Sequence, residues 1–167
     1  MITWTEKRKD YQLSAGFSLI ELIIIISIIG ILSAIIVPRA NNLVDSMQLK
    51  TAGDKLIDDL RYAHNYAIST HDTTWFVVNI VDNSYGIYVG SSPSDRELIW
   101  DPSTNRQALV DFDVQYSGVR ITSVNFGGES EVSFDWWGTP SDGGVVVLNG
   151  TKSIVIVPET GYVYEAQ

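Results

Sequence analysis

Polar and apolar positions alternate in three different ways along this chain. Residues 17–37, FSLIELIIIISIIGILSAIIV, are apolar apart from small glycine and serines and one carboxylate, Glu21. Over residues 39–70 the apolar positions Leu43, Met47, Leu56, Leu60, Ala63 and Ala67 recur at helical spacing, which predicts an amphipathic helix. Asp54, Asp58 and Asp59 are expected on or beside its opposite face, as a solvated surface rather than a divalent-metal site. Gly30 and Pro38 are helix breakers, and Pro38, lacking its N–H, should kink the chain.

From residue 74 the period falls to two. TWFVVNI and SYGIYVG flank VDN and predict a hairpin. ELIW, QALVDFDV, GVRITSVNF and EVSFDWW follow as strands, each bounded by Pro, Gly, Ser or Asn. VVVLNGTKSIVIV carries Asn149-Gly150 at its centre, the strongest hairpin signal in the chain, and YVYEA closes the domain after a PETG turn. The predicted fold class is α+β, a long N-terminal helix packed on antiparallel β-sheets.

The 167 residues suit one modest domain plus an extra element. The chain contains no cysteine, which excludes disulfides, thiol catalysis and Cys–zinc sites. Net charge is -9, and the segment before Phe17 contributes +1 (Lys7, Arg8 and Lys9 against Glu6 and Asp10), so the remainder carries -9 - 1 = -10. So acidic a body makes no strong case for nucleic acid. His64 and His71 are seven apart, the wrong spacing for two ligands on one helix face, and neither belongs to a catalytic arrangement. GTPSDGG lacks the Gly-Lys-Ser/Thr of a phosphate loop and reads as a mobile loop. No dense ladder of aspartates supports calcium. Neither a cofactor nor a metal is expected, and the chain does not read as an enzyme. Trp136 and Trp137, as strand neighbours, should point to opposite faces, one buried and one exposed, which reads as core and edge packing with partner contact as the alternative. The Asn149-Gly150-Thr151 sequon sits on a tight turn and reads as incidental.

As a helix, residues 17–37 would cover roughly 30 Å, one hydrocarbon thickness. That is longer than the core of an ordinary cleaved signal, about 7 to 15 residues. Lys7, Arg8 and Lys9 precede the run, and only Arg39 follows closely, which places the N-terminus in the cytoplasm and the domain outside. An acidic side chain at mid-bilayer costs about 2.5 to 3.5 kcal/mol, less near an end. Glu21 therefore either snorkels to the headgroups or awaits a positive partner. The span holds no Lys, Arg or His, so that partner must come from another chain or from processing.

AGFSLIE, residues 15–21, followed by the unbroken apolar run with Gly30 and Pro38, resembles the signal of type IV prepilins and type II secretion pseudopilins. The resemblance implies that a prepilin peptidase cuts after Gly16 and methylates the new N-terminus, Phe17. It implies that Glu21, fifth after the cut, meets the Phe17 amine of a neighbouring subunit and sets the register of filament assembly. It also implies partial melting near Gly30 and Pro38 in the filament. The expected organisation is a leader at 1–16, a transmembrane and filament-core helix at 17–38, an amphipathic helix at 39–72 and a periplasmic β-rich domain at 73–167. A second, looser resemblance covers residues 134–164 and points to the GspH/FimT family of minor pseudopilins and minor pilins. Phe134, Gly138, Gly144, Leu148, Ile154, Val155, Thr160, Gly161 and Val163 carry it. DNA-uptake members tend to be basic around the last glycine, where this chain has TGYVYEAQ, which argues against DNA. The implied function is a pilin-like subunit at or near the tip of the type II secretion pseudopilus, in the inner membrane. Its expected partners are the peptidase, the other pseudopilins and the assembly platform. The alternatives are a minor pilin of a type IV pilus and a single-pass anchored binding domain outside any filament.

Overall fold

The computed structural model describes residues 18–101 and 105–166, and within its first helix the side chains of residues 34–44 lie outside the described set. The expected leader, with Gly16 and Phe17, falls outside the described residues. The first helix, α1, runs Leu19–Thr70 as one element. Gly30 and Pro38 both lie inside it, and the side chains of Pro38 and Leu43 are among those not described. The chain divides between Asn41 and Asn42 into two units.

In the second unit, Ala52, Leu56, Leu60, Ala63 and Ala67 of α1 are fully buried, a stripe at spacings of three and four. Two expectations fail here for the same geometric reason. Met47 is 68% exposed. It stands five positions before Ala52, about 140° around a 3.6-residue helix from the stripe. Asp59 is buried, because it lies three after Leu56 and four before Ala63, on the stripe itself. Asp54 and Asp58 are exposed as expected. Beyond Thr70 the helix ends in a left-handed residue, His71, with φ 61°, whose N–H donates to the Ala67 carbonyl at 3.0 Å.

Then come β1 (Thr74–Asn79), β2 (Ser84–Val89), the short β3 (Glu97–Leu98), β4 (Trp100–Asp101), β5 (Arg106–Gln107) and β6 (Leu109–Asp111). A helical turn, α2 (Phe112–Gln115), leads to β7 (Ile121–Phe126) and β8 (Glu131–Phe134). The chain finishes with β9 (Gly144–Leu148), β10 (Lys152–Ile156) and β11 (Val163–Ala166). All pairings are antiparallel. One sheet has the order β3-β2-β1-β8 with β6 also on β2, the second has β11-β10-β9-β7, and β4 pairs with β5. The α+β fold class, with a long N-terminal helix and antiparallel sheets, is as expected.

Both predicted hairpins form. Asn149 and Gly150 have φ of 49° and 68°, the double positive φ of a two-residue hairpin turn. Two expected strands break. QALVDFDV divides into β5, β6 and α2, because the Asp111 carboxylate accepts from the N–H groups of Asp113 and Val114 and caps a helical turn. ELIW is interrupted at the buried Ile99. GTPSDGG is stitched down rather than loose. Asp135 N–H donates to Thr139 O at 3.0 Å and Ser141 N–H to Ser133 O at 2.7 Å, while Pro140 bridges Phe134.

Asn83 joins the two sheets. Buried, with φ 48°, its amide donates to the Val119 carbonyl at 2.9 Å and to Asp113 Oδ1 at 2.7 Å. Its side-chain oxygen accepts from Ile121 N–H at 2.8 Å, and its carbonyl accepts from Phe112 N–H at 3.0 Å. One side chain thus ties the β1–β2 hairpin, α2 and the start of β7. Beside it Phe76 stacks on Tyr85 (centroids 4.9 Å apart), and Phe112 meets Tyr85 edge-on at 5.6 Å.

Candidate functional site

Among the described residues nothing covers the first part of α1. Every Ile and Leu from Leu19 to Leu32 is exposed, on all sides of the helix. Ser27 and Ser33 turn their hydroxyls back onto the carbonyls of Ile23 and Ile29, both at 2.7 Å, so neither presents a free polar group. Glu21, exposed, is then the one charged side chain from Leu19 to Ser33. A Cβ built on Gly30 would meet nothing within 4 Å, so no contact among the described residues requires glycine there. A helix apolar all round is stable only when surrounded by apolar material. Among the described residues no helix is long and apolar enough to cross a membrane. Phe17 and the side chains of residues 34–37, which complete this run in the sequence, lie outside them.

A second feature is an aromatic shelf. β8 stops at Phe134, because the Asp135 carboxylate accepts from Trp137 N–H (2.9 Å) and Thr139 N–H (2.7 Å) and turns the chain. Neither tryptophan is in a strand, and both are exposed, Trp136 at 48% and Trp137 at 70%. The expected split into one buried and one exposed ring therefore does not occur. The two rings lie 4.2 Å apart, and Trp136 stacks on His71 at 6.4 Å. Tyr162 and Tyr164 form another exposed stacked pair at 6.0 Å.

The remaining motif residues form scaffold. Phe134 meets His64 of α1 edge-on at 5.6 Å. A Cβ on Gly138 would lie 2.6 Å from His64 Nε2, and one on Gly161 2.8 Å from His64 Cδ2. Both glycines have positive φ, 85° and 65°, so glycine serves turn and close approach together. Thr160 stands in the turn before Gly161, its hydroxyl accepting from Tyr162 N–H at 3.3 Å. A Cβ on Gly144 would lie 2.1 Å from the Asn125 carbonyl, so glycine lets β9 close on β7, and Leu148 is fully buried. The geometry thus brings Phe134, Gly138 and Gly161 together around His64, and leaves Gly144 and Leu148 in the second sheet. His64 is a packing histidine at the centre of the motif.

Buried polar chemistry that sequence reasoning missed lies beneath. Asp59 accepts from the Tyr85 hydroxyl at 2.8 Å and from Lys55 Nζ. Burial pushes the Tyr85 phenol well above its usual range, and the Asp59 carboxylate adds to the effect. Tyr85 is therefore a fixed neutral donor. Asp59 and Lys55 also line an open cavity of about 460 Å³ with Tyr62, Asp101 and Arg106. Lys152, buried, passes over Gly53 of α1 to pair with Glu165. The signal for Asp59 was its register with the apolar stripe. Among the described residues no group of three or more His, Cys, Asp or Glu could hold a metal.

Residues 12–37 match the family model described as the prokaryotic N-terminal methylation motif. The fold of the chain is similar to two structures of the minor pseudopilin EpsH from the type II secretion system of Vibrio cholerae. The first superposes with a TM-score of 0.56 at 8% identity, covering 71% of this chain and 94% of that one. The second gives 0.54 at 8% identity, covering 71% and 92%. This chain carries a prepilin-type methylation motif and a pseudopilin fold. No curated protein matches it. The motif implies processing by a peptidase and assembly with other pilins. Together they suggest a membrane-anchored protein facing the periplasm.

Proposed function

We propose that this chain is a minor pseudopilin, a structural subunit at or near the tip of the type II secretion pseudopilus that helps to initiate the filament and so to export folded proteins. Prepilin peptidase cuts after Gly16 and methylates Phe17. The segment from Phe17 to Pro38 first anchors the subunit in the inner membrane, N-terminus cytoplasmic, and then joins the filament core. The observation that carries this reading is the helix of residues 19–33, apolar on every side, uncovered among the described residues and bearing one carboxylate. A lone buried carboxylate is expensive, and pairing with a cation offsets much of that cost. Cleavage makes such a cation at Phe17, so Glu21 of one subunit against the amine of the next favours assembly and sets its register. Gly30 leaves an open notch for a neighbouring helix. The shelf of Trp136, Trp137 and His71 supplies a contact with another (pseudo)pilin or the assembly platform.

The test compares a strain lacking the gene with its parent. Loss of exported proteins from the medium with surface pili intact supports the proposal. Loss of pili with export intact moves the subunit to a type IV pilus. An N-terminal mass beginning at methylated Phe17 is expected in either filament. A chain that retains Met1 in cells with active peptidase would mean an anchored domain outside any filament.

A further inference from the structure

We infer that Asn149 is a conditional deamidation site, held closed by the folded β9–β10 hairpin and opened when that hairpin separates from β7. Asn-Gly is the pair in which this reaction meets least hindrance, since the second residue has no Cβ. The Gly150 backbone nitrogen attacks Asn149 Cγ and forms the N–Cγ bond of a succinimide. The Cγ–Nδ2 bond breaks, and Nδ2 leaves as ammonia with the Gly150 proton. Water then opens either ring carbonyl, giving aspartate or its isomer with the chain rerouted through the side chain. No oxidant or cofactor is needed.

Here both reacting groups are engaged. Gly150 N–H donates to Thr122 Oγ1 at 3.0 Å, and that hydroxyl donates onward to the Val147 carbonyl at 3.0 Å. Asn149 Oδ1 accepts from Arg120 N–H at 2.7 Å, Nδ2 donates to the Gly118 carbonyl at 3.0 Å, and the Asn149 N–H donates to Arg120 O at 2.9 Å. The nucleophile cannot turn onto Cγ without breaking this set. Residues 118–122 supply every direct partner, so one local opening frees nucleophile and electrophile together. The β7–β9 register shifts between Ile121 and Ser123, and Thr122 sits at that irregularity with its hydroxyl across the turn. The product does not close again. A carboxylate would replace the donor facing the Gly118 carbonyl, and the isomer adds a backbone atom to a two-residue turn.

The experiment follows the mass gain at Asn149 by peptide mapping of the full chain, in detergent at mildly alkaline pH, with and without denaturant. The native rate should be at least about tenfold below the denatured rate. Thr122→Val should raise the native rate roughly two- to tenfold, leave the denatured rate unchanged, and be reversed by Thr122→Ser. Equal native and denatured rates in the unaltered chain overturn the inference, as does a folded Thr122→Val with an unchanged native rate. If Thr122→Val does not fold, the ratio in the unaltered chain decides.

Discussion

Residues 19–33 and 52–67 belong to one helix and are stabilised in opposite ways. The second stretch buries one stripe within its own domain, and its few polar intrusions are matched, Asp59 by Tyr85 and Lys55. The first exposes apolar side chains all round, with no cover among the described residues. Each fully buried Leu or Ile is worth about 1.5–3 kcal/mol. One or two of them therefore offset the roughly 2.5–3.5 kcal/mol that Glu21 costs in a bilayer. On the proposed reading the apolar run dictates that the segment enters an apolar phase, and Glu21 dictates what it does there. On that same reading the helix carries an unfinished interface at one end and a finished one at the other.

The largest expected effect breaks the unfinished side. Glu21→Ala should leave insertion, cleavage after Gly16 and the fold of the body intact, while incorporation into filaments falls below detection. Crosslinking or filament shearing with the variant expressed beside the other subunits reads this. Normal co-assembly would remove Glu21 from register setting.

On the finished side, Asn83→Ala should be the most damaging single change. It strands the Ile121 N–H and the Val119 carbonyl and puts a Cβ residue at φ 48° without side-chain compensation. A loss of about 3–4 kcal/mol is expected by denaturant titration. Gly161→Ala follows at about 2–4 kcal/mol, since its Cβ would meet His64 Cδ2 at 2.8 Å and the Gly138 carbonyl at 2.9 Å at a left-handed φ. His64→Ala in the same chain should recover part of that loss. Additive losses would mean that contact with His64 is not the cause.

These two positions also show what was legible beforehand. The three periodicities, the Asn-Gly hairpin and the N-terminal motif are local signals, and local signals survive in one sequence. The sharing of His64 by Gly138 and Gly161 is not local, because its partners lie about 75 to 100 residues along the chain. Asp59 lies on the apolar stripe by register, and its charge conceals that. The tryptophans were misplaced because Asp135, two residues before Trp137, offered the chain a turn that competes with the strand. Asn83 had no sequence signal beyond its place at the end of a hairpin.

The buried pair gives a pH dependence of known sign. Tyr85 has its pKa raised in the folded state, so the unfolded chain releases that proton first, near the ordinary value of 10.0. The stability involved is fully present below that pH and is lost as pH rises through the folded value. Tyr62 and Tyr116, also raised by burial, add smaller slopes. Tyr85→Phe should cost about 1.5–3 kcal/mol at neutral pH, where Asp59 loses a donor. It should also flatten the alkaline limb of a plot of stability against pH. An unchanged limb would place the alkaline sensitivity elsewhere.

The smallest effect on folding should come from the shelf, which is why it sharpens the comparison. Trp137 is 70% exposed, and its backbone N–H, not its ring, holds the turn. Trp137→Ala should therefore change the stability of the body by no more than about 0.5 kcal/mol. Trp136 also stacks on His71 at the end of α1, so Trp136→Ala should cost slightly more. If the shelf is an interface, both variants lose incorporation in the shearing assay out of proportion to their stability, as exposed aromatic anchors do. The body would then carry a second unfinished surface of its own. If incorporation tracks stability alone, the shelf is no interface, and the exposed Tyr162–Tyr164 pair is the aromatic surface of the body left to test.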